Sequence, residues 1–432
     1  MEYVLIVFLG IILIVEYLLK RTIFTDVFWV VYPTGVIYIL NNLLFYKFGY
    51  YKINCYLLLL FCIGVCFFYS GVLLNRYRIG ESKIIRVCSA KFSFNEENLK
   101  VKYIYNFVLF VLIWRFGLLL RYIFKYGFFY LYEDDFMNMN MKGALAHLNV
   151  CLYFCVPILL YRGIKERNKK YIFLALCAVV SFFLTFIKYH VIVLSLCIFF
   201  YFGFKNTRMF KRCIFLLALF IIGAFVFNYY LGFIFQHWGA NSLEFYLKHL
   251  WTYIAGGSIN MNLLLEKNIL FDKSDLLISM LLSLPNMFLN KLAGIKIMPR
   301  HELLSESFYY QISKAGDISN VTSTMGYIYG NGNIVMFLIS YFIWGILSSY
   351  IYENIRKNEI SCAWACCYFS FCVLSFFGLY FGMSIIWELL ILSHVCLPLF
   401  RKGRKKLKYF RKEKYEIFSL TDHTQKSGQK YF

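Results

Sequence analysis

The stretch ILSHVCLPLFRKGRKKLKYF, Ile391 to Phe410, joins an apolar run to six basic residues, Arg401, Lys402, Arg404, Lys405, Lys406 and Lys408. Lys and Arg accumulate on the cytoplasmic side of membrane segments. The carboxyl-terminal tail is therefore read as cytoplasmic, and every other loop follows by counting crossings back from it. Composition fixes the solvent: 61% of the residues are hydrophobic, 48 are Phe and 37 are Tyr, while only 16% are charged. A soluble chain of 432 residues cannot hide that much apolar surface in one core. The net charge of +22 sits in short loops between apolar runs, which marks topology rather than a nucleic-acid groove.

A crossing needs about 20 mainly apolar residues. Eleven stretches qualify: 2–19, 23–40, 55–74, 103–123, 143–161, 171–187, 191–204, 213–235, 332–352, 361–380 and 383–400. The expected fold is an all-α polytopic bundle of about eleven transmembrane helices. Counting back from the tail puts Lys20 and Arg21, Arg76 to Lys102, Arg162 to Lys170, Lys205 to Arg212, and Arg356 and Lys357 in inner loops. The outer connections carry only Lys47 and Lys52, Lys125 and Lys142, and Lys188, so the basic bias holds at each crossing and the amino terminus lies outside. The chain divides into spans one to eight (1–235), an outer loop (236–331), spans nine to eleven (332–400) and a basic cytoplasmic tail (401–432).

That outer loop is far longer than a connection requires, and such loops are usually functional. Its charges balance, seven basic against seven acidic. Within it, Leu276–Leu289 is an apolar run too short to span and broken by Pro285, as expected of a helix lying in or dipping into the interface. The loop is read as a cap folded on the outer face, placed for a substrate that is half lipid and half polar. The fourteen cysteines show neither zinc-site spacing nor a disulfide frame, and read as small apolar packing residues.

Ionisable side chains inside a membrane are costly and are functional candidates by default. Arg115 and Arg121 lie toward the outer end of the fourth span in WRFGLLLRYIF, Trp114 to Phe124. Helix geometry sets them about 120° apart. A guanidinium fork suits bidentate phosphate contact and keeps its proton; for Arg121 that reading competes with snorkelling to the headgroups. Lys188 and His190 occupy a tight outer hairpin turn, where the competing role is interfacial anchoring. Arg300, His301 and Glu302 set a cation, an imidazole and a carboxylate in a row inside the cap, offering a phosphate ligand beside a general base, or simply a solvated loop. Glu16 and Asp26 fall near inner ends as packing partners or snorkelling groups, and Glu388 is a candidate partner for Arg115. Glu133, Asp134 and Asp135 form the one dense acidic cluster, more in keeping with a solvated loop than with a divalent site. No glycine-rich loop reads as a P-loop, which argues against ATP as the energy source.

Two further stretches carry a resemblance. WTYIAGGS, Trp251 to Ser258, places Tyr253, Gly256 and Gly257 just after the eighth span; SNVTSTMGYIYGNGNIVMF, Ser319 to Phe337, places Asn320, Tyr329, Gly330 and Gly332 at the loop exit. With the layout of eleven spans, a basic outer hairpin and a large outer loop, the chain resembles the bacterial oligosaccharide repeat-unit polymerases, the Wzy-type O-antigen and capsule polymerases. The hairpin departs from the family pattern, reading Lys188-Tyr189-His190 where an Arg flanked by small polar residues is usual. The resemblance implies a C-type membrane glycosyltransferase bundle in the bacterial inner membrane, extending undecaprenyl-pyrophosphate-linked repeat units without metal or nucleotide sugar.

By the same implication, Arg115, Arg121, Lys188, His190 and Arg300 would hold the pyrophosphate, His301 or Glu302 would be the base, and Tyr253, Asn320 and Tyr329 would contact substrate. The bilayer, and a flippase and chain-length regulator of the same pathway, would be the partners, with no nucleic acid. Two alternatives stay open. An O-antigen ligase shares the fold and differs in acceptor, and a lipid-linked oligosaccharide flippase should show more spans and two similar halves.

Overall fold

The computed structural model describes residues 1–20, 22–79, 99–128, 143–184, 188–236, 243–267, 282–295, 310–319, 321–355, 358–382 and 384–400. Fourteen α-helices account for most of them: α1 (Glu2–Lys20), α2 (Asp26–Leu43), α3 (Cys55–Ile79), α4 (Val101–Tyr126), α5 (Gly143–Lys165), α6 (Lys169–Phe183) and α7 (Lys188–Lys205), then α8 (Thr207–Gln236), α9 (Leu243–Glu266), α10 (Ser283–Ala293), α11 (Thr324–Asn331), α12 (Ile334–Asn354), α13 (Glu359–Val373) and α14 (Ser384–Leu399). Seven of these helices are long and apolar enough to cross a membrane, and Tyr189–Lys205 and Ile386–Leu399 are shorter apolar segments. The chain is an all-α multi-pass membrane protein. Several helix starts are fixed by side-chain caps: Asn168, Ser323, Asn333 and Asn358 each accept a hydrogen bond from a backbone N–H two or three residues on.

Each of the eleven apolar stretches overlaps a helix, although 361–380 leaves α13 at Val373 for short 3-10 turns, and contacts between the helix ends sort into two sets. At one end, Arg76 forks onto Glu16 at 2.6 and 3.0 Å and reaches Asp26 at 2.6 Å, all three side chains being buried. There too Lys20 pairs with Glu353 at 2.5 Å and Arg162 with Glu359 at 3.2 Å, and the Lys100 N–H donates to the Phe400 carbonyl. At the other end, Lys52 pairs with Glu2 at 3.2 Å, the Tyr50 hydroxyl donates to the Lys248 carbonyl at 2.8 Å, and Thr324 donates to the Gly378 carbonyl at 2.8 Å. The first set joins only segments that the charge bias places inside; the second joins only those placed outside. Glu16 and Asp26, read as packing partners or snorkelling ends, are packing partners. A buried charge set of this kind fixes register, because removing one member strands the others in low dielectric.

Glycine sets the closest helix contact. A Cβ on Gly71 of α3 would sit 2.1 Å from the Phe342 carbonyl oxygen of α12, and one on Gly345 of α12 would sit 2.0 Å from the Phe68 carbonyl of α3. Without a water-driven hydrophobic force between helices, such close backbone approach is how transmembrane helices gain packing energy.

The segment read as one cap loop contains α9, a 24-residue helix about 36 Å long by its rise. Its face from Trp251 to Asn262 is largely buried. Both its ends hold the first outer loop: Tyr50 meets Lys248 and Thr252, and Asn54 meets Asn262 and Glu266. It therefore runs along that loop instead of leading away from it. A hairpin of two-residue strands, β1 (Tyr310–Gln311) and β2 (Ile318–Ser319), joins the same loop, with Tyr51 donating to the Ile312 carbonyl and Lys314 to that of Gly49. Of the apolar run Leu276–Leu289, residues 276–281 lie outside the described residues; Pro285 lies in the first turn of α10, where no intrahelical N–H is needed. The thirteen described cysteines are free thiols, seven of them buried in the bundle, as packing residues would be.

Candidate functional site

Arg115 lies on α4, three helical turns below its outer end, and is 5% exposed. Its Nη1 donates to Asn149 Oδ1 of α5 at 3.1 Å and its Nη2 to the Ser181 carbonyl of α6 at 2.8 Å. Ser181 is in the last turn of α6, where carbonyls have no intrahelical donor and the helix dipole is negative. The guanidinium also lies 4.8 Å from the Phe182 ring centroid. All these partners are neutral. Among the described residues no carboxylate pairs with Arg115, so a full positive charge is buried without a counter-ion.

His190 enters the same cluster from the first turn of α7. It is 3% exposed, its Nδ1 is hydrogen-bonded to the Tyr153 hydroxyl, and its Nε2 has no partner among the described residues. The Tyr153 and His190 rings pack on Phe182 at 5.2 and 6.0 Å, so Phe182 is shared by the arginine and the imidazole. If the Tyr153 hydroxyl donates to Nδ1, the neutral ring carries its proton on Nε2, leaving there a donor with no acceptor among the described residues.

The other sequence candidates are distributed differently. Arg121 is on the exposed side of α4, away from the Arg115 cluster. Lys188 opens α7 two residues before His190, and its side chain is outside the described residues. Arg300, His301, Glu302, Asn320 and Glu133 to Asp135 also lie outside them. Glu388 does not pair with Arg115. It holds His147 Nδ1 at 2.5 Å, because α14 packs on the face of α5 that carries His147, whereas Asn149 turns to the face that meets Arg115.

The two resemblance stretches meet each other. Gly257 of α9 accepts from the Ser323 N–H at 3.0 Å and the Thr322 hydroxyl at 3.3 Å. A Cβ there would lie 2.7 Å from the Phe376 carbonyl oxygen, so only glycine admits this junction. Asn260 donates to the Ser319 and Val321 carbonyls at 3.0 and 2.6 Å. Tyr253 stacks on Phe377 at 5.9 Å and remains 37% exposed. Tyr329 shares a hydroxyl contact of 3.2 Å with Tyr56 on α3, a different neighbour from that of Tyr253. Burial, with the Tyr56 hydroxyl, pushes the Tyr329 phenol up to about 12; burial does the same to Tyr327. Both phenols stay protonated near neutrality and can donate hydrogen bonds but not act as bases.

Asn149, Tyr153 and His147 were missed in the sequence reading. The signal was present: three polar-tipped residues in the apolar run GALAHLNVCLYF, two of them at i and i+4 and so on one helix face. No protein-family model, curated protein or solved structure matches this chain.

Proposed function

We propose that this protein extends a lipid-linked glycan on the outer face of a bacterial inner membrane, joining undecaprenyl-pyrophosphate-linked repeat units into an O-antigen or capsular chain. In this reading the eleven apolar stretches are eleven crossings of a C-type glycosyltransferase bundle. The observation that carries it is the convergence of Arg115 and His190, a cation with no carboxylate partner and an imidazole nitrogen with no hydrogen-bond partner among the described residues, toward the end of the bundle that the charge bias places outside. Both residues were drawn from separate spans as phosphate ligands.

The chemistry follows from charge. The acceptor hydroxyl attacks the anomeric carbon of the donor, the bond to pyrophosphate breaks, and negative charge grows on the departing phosphate. A cation fixed in low dielectric stabilises that charge more than it stabilises the ground state. Arg115 supplies the field, its fork aligned by Asn149 and the Ser181 carbonyl, and His190 Nε2–H supplies a directed hydrogen bond. Tyr253 and the half-buried Tyr329 would contact sugars with the ring surface left accessible, and the energy comes from the phosphoester itself.

Deletion of the gene in its source cells tests the class. The expected outcome is accumulation of lipid-linked single repeat units with loss of long chains. Repeat units trapped on the cytoplasmic face would assign a flippase, and long chains that never reach their final acceptor would assign a ligase.

A further inference from the structure

We propose that the bundle takes one acyl chain of a membrane phospholipid into a side pocket between α11, α12, α13 and α14, an inference independent of the glycan-extension reading above. The pocket is a cavity of about 180 Å³. Apolar cavities of about 150 Å³ stay dry and take up hydrocarbon. Its inner wall is Ile328 of α11, Tyr368 of α13 and Leu379 of the segment before α14, which are 6, 1 and 8% exposed. Its mouth is on α12, where Ile343 and Leu347 line the same space and are 56 and 41% exposed. These two continue an exposed stripe of Val335, Ile339 and Tyr350, in steps of three and four residues down one face of the helix. Since α12 is long and apolar enough to cross a membrane, that face meets hydrocarbon, and the pocket opens sideways into it.

The chemistry of the wall selects a hydrocarbon guest. The Thr324 hydroxyl donates to the Gly378 carbonyl at 2.8 Å, the Tyr368 hydroxyl is bonded to that of Ser348 at 2.7 Å, and the Trp387 Nε1–H donates to the Phe381 carbonyl at 2.7 Å. With those polar tips engaged inside the protein, the surface left to the pocket is almost all carbon. The Trp344 Nε1–H has no partner among the described residues, but it belongs to a residue about 15 Å down α12, below the reach of a lipid headgroup. Depth also fits a chain from the outer leaflet. Ser340 and Leu347 lie about 9 and 20 Å from the outer end of α12, and one leaflet fills about 15 Å of the hydrocarbon core. Phospholipid is the source because its chains already border the mouth, and an unfilled space would forfeit the dispersion contacts of its lining. A chain seated there packs beneath Leu379 and Phe381, in the stretch whose Gly378 carbonyl holds the loop exit through Thr324.

The test uses the full-length protein in phosphatidylglycerol vesicles doped with phosphatidylglycerol that carries a photoreactive diazirine in one acyl chain. After irradiation and proteolysis, mass spectrometry maps the adducts. The expected map has adducts on the buried Tyr368 and Leu379 as well as on the Val335 and Ile339 stripe. Ser340→Phe, which fills the pocket, is expected to lose the inner adducts and keep those of the stripe, whereas Ile339→Phe, outside the pocket, is expected to keep the inner ones. Adducts confined to the stripe of the native protein would overturn the proposal, and that map decides even if Ser340→Phe does not fold. Inner adducts that persist in a folded Ser340→Phe protein would also overturn it. So would inner adducts formed by a photoreactive polyisoprenyl phosphate and not by the phospholipid, which would assign the pocket to a different lipid.

Discussion

Arg115 directs its hydrogen bonds to an amide and a helix-terminal carbonyl, and its charge to no carboxylate among the described residues. A lysine there keeps the charge but has a single nitrogen, which cannot hold Asn149 and Ser181 together while facing a phosphate. Arg115→Lys is therefore expected to slow chain extension about a hundredfold, the cost of losing one such transition-state contact. The measurement is repeat-unit number on gels at matched protein level; native chain lengths would remove Arg115 from the site. Arg115→Ala should in addition lower thermal stability by about 1–3 kcal/mol, because two buried acceptors lose their donor. At this scale the sequence was half legible. Arg115 stood out because charge is rare in apolar runs, and His190 because it sits in a tight turn between two of them. Their partners did not, because which faces of α4, α5, α6 and α7 meet depends on helix packing that one chain's periodicity does not encode. The same blindness paired Glu388 with the wrong residue.

Helix contacts follow the small residues. Gly71 and Gly345 let α3 and α12 approach until each Cα faces the other's carbonyls, so a side chain at either position must push two backbones apart. Gly345→Val is expected to destabilise the protein by about 1–3 kcal/mol. Gly117→Ala on α4, where a Cβ meets nothing within 4 Å, should be neutral or slightly stabilising. Thermal unfolding of both variants in detergent distinguishes them, and equal melting temperatures would refute the close-packing account. The helix α9 escaped the sequence reading for a physical reason. Gly256, Gly257, Ser258, Asn260 and Asn262 interrupt its apolar pattern, and four of them, Gly256, Gly257, Asn260 and Asn262, make its contacts with the loop exit and the first outer loop. The features that hide the helix from hydropathy are the ones that seat it.

Across the whole molecule, the positive charges carried most of the legible information. They assigned loops to two sides before any contact was known, and the contacts join loops of like assignment, from Lys20–Glu353 at one end to Glu2–Lys52 at the other. Sidedness itself is checked by fusion: a reporter active only in the cytoplasm should work after Lys170 or Lys412 and fail at Asn286, and activity at Asn286 would invert the account. What the charges did not encode was the substrate; the one proposed above rests on Arg115, His190 and the two packed stretches around Gly257 and Ser323.

The most direct measurement of that claim is reconstitution. The purified protein is placed in lipid vesicles with the lipid-pyrophosphate-linked single repeat units from deletion cells, and the products are resolved by size. The account predicts a ladder of increasing repeat number with release of lipid pyrophosphate, and its loss in the Arg115→Lys protein. Repeat units left unextended by a native protein that is folded in the vesicles would contradict it.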